Sequence, residues 1–98
     1  MSGTLPLKTR LTAIMKSWAF PISPGCQQGL EQLIDQAVVK VHTAGFSSNT
    51  QKLNEAQRNF EKLLIEMTWE AGQQGFKELH EPTLLAALAR ICPLFPFC

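Results

Sequence analysis

An all-α fold is the first expectation from this sequence: a small single-domain bundle of about four amphipathic helices with an apolar, proline-broken C-terminal tail. Three observations lead there. Apolar residues recur at three- and four-residue steps in successive stretches, the spacing that draws one face of an α-helix. Proline and glycine fall between those stretches, at Pro21, Pro24, Gly45 and Pro82, where they start or stop helices. The chain has 98 residues and is 45% hydrophobic, which suits one core in one domain over residues 1–98 and excludes a strongly disordered character.

The first helix is expected from about Leu5 to Ala19, with Leu7, Leu11, Ile14, Met15 and Trp18 as its stripe. Pro21 and Pro24 end it. Ser23 before Pro24 reads as a hydroxyl cap followed by proline at the first helical position. The second helix so opened carries Leu30, Leu33, Ile34, Ala37, Val38 and Val41 on one face and stops at Gly45. Ser47, Ser48 and Asn49 are candidate caps for a third, longest helix that runs to about Leu79. Gly72 and Gly75 lie inside that span as a break, a kink or a point of close backbone approach. Pro82 opens a fourth helix, where Leu84, Leu85, Leu88, Ile91 and Cys92 are expected to share a face. Short connections give an up-and-down order.

The long helix is unusual in having two apolar sides. Leu53, Ala56, Phe60, Leu63, Leu64, Met67 and Ala71 draw one face, while Ile65, Trp69 and Phe76 fall roughly opposite. Both sides need cover, from the same chain or from another molecule. Charged residues make up only 17% of the chain, below the usual ~25%, which again leaves apolar surface to be buried by association. The expected partner is therefore another protein, with a homodimer as the expected oligomer. The candidate partner-binding residues are Arg58, Ile65, Trp69 and Phe76 on the long helix, with Lys62 and Glu66 as a polar rim. Leu94, Phe95 and Phe97 in the tail join them, because they too need cover from the core or a partner.

Catalytic chemistry is thin. Asp35 is the only aspartate, His42 and His80 are the only histidines, and tyrosine is absent. His42 lies opposite the apolar stripe of its helix, and His80 stands at a helix end, where imidazole suits the carbonyl dipoles. No enzyme activity, cofactor or metal is expected: Cys26, His80, Cys92 and Cys98 have no zinc spacing, and Gly72 to Gly75 lacks the strand and lysine of a phosphate loop. The reading is a non-enzymatic binding module, of the adaptor, assembly-factor, chaperone or regulator kind.

Two alternatives carry less. A helix-turn-helix regulator of DNA needs base-reading side chains at the start of its recognition helix, and the fourth helix offers Glu81, Pro82 and Thr83, so nucleic-acid binding is disfavoured. A peripheral membrane protein could use the first helix, which is basic and acid-free through Lys8, Arg10 and Lys16. The same character resembles a mitochondrial presequence, but such a face more often docks onto its own bundle. The acidic residues concentrate in the long helix, a polarity that favours packing of the two segments. No apolar run is long enough for a transmembrane helix, and no secretory h-region follows the start. Three cysteines are an odd count, which fits free thiols in the cytoplasm better than a disulfide framework.

Overall fold

The computed structural model describes residues 6–91 and 95–97. Four helices make up almost all of it: α1 (Leu7–Lys16), α2 (Pro24–Thr43), α3 (Thr50–Gln74) and α4 (Glu81–Ile91). The all-α expectation holds. The shortest dimension, 18 Å, is about two helix diameters, so the bundle is two layers thick. Helices α2 and α3 each touch the other three, whereas α1 and α4 do not meet.

Local chemistry sets the helix ends. Ser23 caps α2, its hydroxyl accepting from the Cys26 amide at 3.3 Å with Pro24 at the first position. Asn49 caps α3, accepting from the Lys52 amide at 3.2 Å. Both long helices close with a Schellman motif. Gly45 (φ 77°) and Gly75 (φ 75°) take the left-handed conformation, and the next amides, of Phe46 and Phe76, each donate at 2.8 Å to Val41 and Ala71.

Several boundaries differ from those expected. Helix α1 ends at Lys16 instead of Ala19: the Trp18 amide bonds Met15, a tightened last turn, and the indole Nε1–H donates to Thr68 Oγ1 at 2.9 Å. Helix α3 stops at Gln74, short of Leu79, because Gly75 reverses the chain there. Leu85 does not join the inner face of α4; it is 67% exposed, and Thr83, Leu84 and Ala87 face inward instead.

The seven residues assigned to the inner face of α3 are all buried, with Leu7, Leu11 and Met15 from α1 and Cys26, Leu30, Ile34, Ala37 and Val41 from α2. The basic character of α1 does not match it to the glutamates of α3. Lys8 instead approaches Asp35 of α2 at 3.4 Å, a solvent-exposed pair of little worth, and Arg10 donates to Asn54 at 2.8 Å.

Two contacts position the surface. The connections before α2 and α4 pair side by side: the Ser23 amide donates to Leu79 O at 2.9 Å, and the Leu79 amide to Pro21 O at 2.8 Å. Helices α2 and α4 thus start, and α1 and α3 finish, at the same end. There α4 lies close against two glycines of α2. A Cβ on Gly25 would stand 2.9 Å from Glu81 Oε1, and one on Gly29 2.9 Å from Leu84 Cδ2. Helix α2 has no acidic residue in its own first turn, so the Glu81 carboxylate serves two helix N-termini.

The tail closes the other end. Phe95 and Pro96 are buried, Lys40 Nζ donates to Phe95 O, and Asn59 Nδ2 donates to Pro96 O. Phe97 meets Phe46 edge-on at 5.5 Å, with the Lys52 ammonium over both rings.

Candidate functional site

Helices α1, α2 and α4 all pack against α3, and the residues of α3 that are buried are those of its inner face, from Leu53 to Ala71. The outer side of α3 therefore stays uncovered. Ile65 is 56% exposed, Trp69 54% and Phe76 38%. The second apolar stripe is surface in the isolated chain.

That surface is ordered by its neighbours. The Arg90 guanidinium from α4 lies 5.1 Å from the centroid of the Trp69 ring, a cation–π contact. Glu70 accepts from Arg90 at 2.6 Å, and Glu66 lies 3.5 Å from the same guanidinium. The hydrogen bond from Arg90, and then that from Gln74, hold the Glu70 carboxyl below the usual carboxylate range; Glu70 in turn raises Arg90. Phe76, just past the helix end, packs edge-on against His80 at 5.1 Å. Arg58 is exposed one end along and lines a hollow of 380 Å³ with Glu55, Asn59, Lys62 and Phe97.

The tail residues divide. Phe95 is 5% exposed and sits in the protein's own core, so its ring is not offered to a partner. Phe97 is half-buried and borders the Arg58 hollow. Leu94 lies outside the described residues. The structure thus gathers Ile65 with Trp69, and Arg58 with Phe97, and withdraws Phe95.

A second apolar surface was not anticipated from the sequence. Between α2 and α4 a groove of 350 Å³ is lined by Gly29, Leu33, Leu84, Leu85 and Leu88, with Gln28, Gln32 and Gln36 along one wall. The signal was the Gly25–Gly29 pair, one helical turn apart, which lets α4 approach. The apolar face of α1 is consumed by the core, leaving no free stripe to lie on a membrane. At the start of α4 the exposed residues are Glu81, Pro82 and Leu85, none suited to base edges.

Among the described residues, no three His, Cys, Asp or Glu side chains gather as metal ligands would, and no helix is long and apolar enough to cross a membrane. Thr83 Oγ1 is buried and has no hydrogen-bond partner among the described residues. Cys26 is free and buried, and burial, then the nearby Glu81 charge, pushes its thiol from 9.0 up to about 11. Cys92 and Cys98 lie outside the described residues.

The raised thiol has a consequence for stability. The fold keeps Cys26 protonated, so its contribution is fully present below pH 9 and is lost as pH rises towards 11. After discounting for solvent relaxation around the thiolate, about 1–2 kcal/mol should disappear over that interval. Urea titrations across it should show the loss in the wild type and a flatter profile in Cys26→Ala. An identical slope in both would remove the buried thiol as its cause.

No protein-family model matches this chain, and no match is found among curated proteins or solved structures. The class defined here is a small four-helix bundle with an uncovered aromatic stripe on its longest helix.

Proposed function

We propose that this protein is a non-enzymatic binding module that engages another protein through the outer face of α3. One observation carries the reading: Ile65 and Trp69, one turn apart, are each more than half exposed while every other large apolar residue of α3 is buried. Tryptophan is among the residues that most often dominate protein interfaces, and the Arg90 contact holds this one on the surface at reduced entropic cost. Lys62, Glu66 and Glu70 supply the polar rim that such interfaces show. A free, buried, protonated Cys26 suits work in a reducing compartment such as the cytoplasm.

Trp69→Ala separates binding from folding. The ring is 54% exposed, so the substitution should cost folding only about 1–2 kcal/mol, well below the loss of a core aromatic. Association with the protein partner should weaken by about 2 kcal/mol, roughly 30-fold. The measurement pairs thermal melting with binding of host proteins to immobilised wild type and variant at raised salt, where phosphate-driven contacts collapse. A variant that loses several kcal/mol of stability, or that retains every partner of the wild type, ends this reading.

A further inference from the structure

A pocket of 260 Å³ lies where the chain leaves α1 and enters α2, apart from the outer face of α3. Met15, Trp18, Phe20 and Ile22 form its apolar walls, Lys16 and Gln27 are its polar side chains, and no acidic residue lines it. We propose that this pocket binds a small organic carboxylate with a one-ring aromatic body. The ring lies against the apolar walls, and the carboxylate is held by the Lys16 ammonium and the Gln27 amide.

The walls are fixed by contacts from elsewhere in the chain. The Trp18 indole N–H donates to Thr68 Oγ1 at 2.9 Å, and that hydroxyl donates to Leu64 O at 2.9 Å. The stretch from Phe20 to Ile22 is tied to the approach to α4: the Leu79 amide donates to Pro21 O at 2.8 Å, and the Ser23 amide to Leu79 O at 2.9 Å. Met15 is buried in the core. A pocket held in this way needs little ordering when a ligand enters, so more of the contact free energy appears as affinity.

The chemistry of the lining selects the ligand. The indole N–H is already taken and Pro21 has no amide proton, so polar recognition falls to Lys16 and Gln27. Lys16 forms no ion pair among the described residues. No Asp or Glu precedes Glu31 in the chain, so the segment that builds the pocket brings no carboxylate of its own to compete. A cationic ligand would meet like charge, whereas a carboxylate gains charge-assisted hydrogen bonds. An indole, a phenyl ring and a thioether are favourable neighbours for an aromatic ring. The volume has room for a molecule of about ten non-hydrogen atoms at the packing density of protein interiors.

The test uses 3-phenylpropionate as the probe, titrated to about 10 mM into the ¹⁵N-labelled full chain and followed by heteronuclear NMR. The two tryptophans give two indole N–H signals, which a Trp69→Phe chain assigns. The Trp18 signal should shift saturably, with a dissociation constant of hundreds of micromolar, while the Trp69 signal stays in place. Lys16→Gln, at an exposed position that the fold does not need, should weaken binding about 5-fold. The neutral 3-phenylpropanamide should bind the wild type about 5-fold more weakly than the acid and should not respond to Lys16→Gln. No saturation by about 10 mM, or a shift at Trp69 without one at Trp18, overturns the site. Equal binding of acid and amide, or an acid affinity unchanged by Lys16→Gln, overturns the carboxylate assignment. Neither result bears on the α3 face, whose own test is the loss of a protein partner.

Discussion

Replacing Phe60 with alanine is expected to remove about 3–5 kcal/mol of folding stability. Phe60 is fully buried, the largest of the side chains sealed from solvent, and it lies on the one face of α3 that the rest of the chain covers. Truncation loses the transfer free energy of the ring and leaves a cavity that four short-linked helices can collapse into only in part. A domain of this size holds about 5–15 kcal/mol in total, so the variant should melt roughly 15–30 °C lower. Urea denaturation measures the loss directly. A change under about 1 kcal/mol would mean that position 60 is outside the core.

Phe95→Ala should produce the second large effect, about 3 kcal/mol, although the residue lies in an irregular tail. Its ring is 5% exposed within the core cluster, and the carbonyls of Phe95 and Pro96 are held by Lys40 of α2 and Asn59 of α3. Removing the ring opens one end of the bundle and loosens two hydrogen bonds to buried backbone. The matched comparison is Phe97→Ala, which should cost less because that ring is only half-buried. Melting of both variants decides the role of the tail. A Phe95→Ala chain with wild-type stability and impaired association would make the tail a partner surface instead of a strap over the protein's own core.

The two variants, with Trp69→Ala, map one contrast along the chain. Aromatic residues of similar apolar character are spent differently: Phe60 and Phe95 on folding, Trp69 on the surface. Composition does not separate them. What separates them is which side of α3 the shorter helices reach.

The helices themselves were legible because their signals are local. The Ser23–Pro24 start and the Gly45 stop act within a turn or two of chain and lie where the sequence placed them, and of the three candidate caps Ser47, Ser48 and Asn49 it is Asn49 that caps α3. The inner face of α3 was legible for the same reason, residue by residue from Leu53 to Ala71. The end of α3 was less so, since the pattern runs on to Phe76 and two glycines compete; only the backbone at Gly75 chooses between them. Leu85 continued the periodicity of α4 yet faces outward, because a leucine at helical spacing says nothing of where the neighbouring helix stands.

Contacts between distant positions were out of reach of the sequence. The pairing of Pro21 and Ser23 with Leu79, the approach of α4 over Gly25 and Gly29, and the fastening of the tail by Lys40 and Asn59 all join segments far apart in the chain. The same holds for the candidate surface. The sequence alone determined that α3 has two apolar sides, because side-chain direction along a helix follows from its period. Which side would be covered was decided by tertiary structure. Helices α1, α2 and α4 all pack against the face of α3 that runs from Leu53 to Ala71, and Arg90 pins the Trp69 indole on the other one.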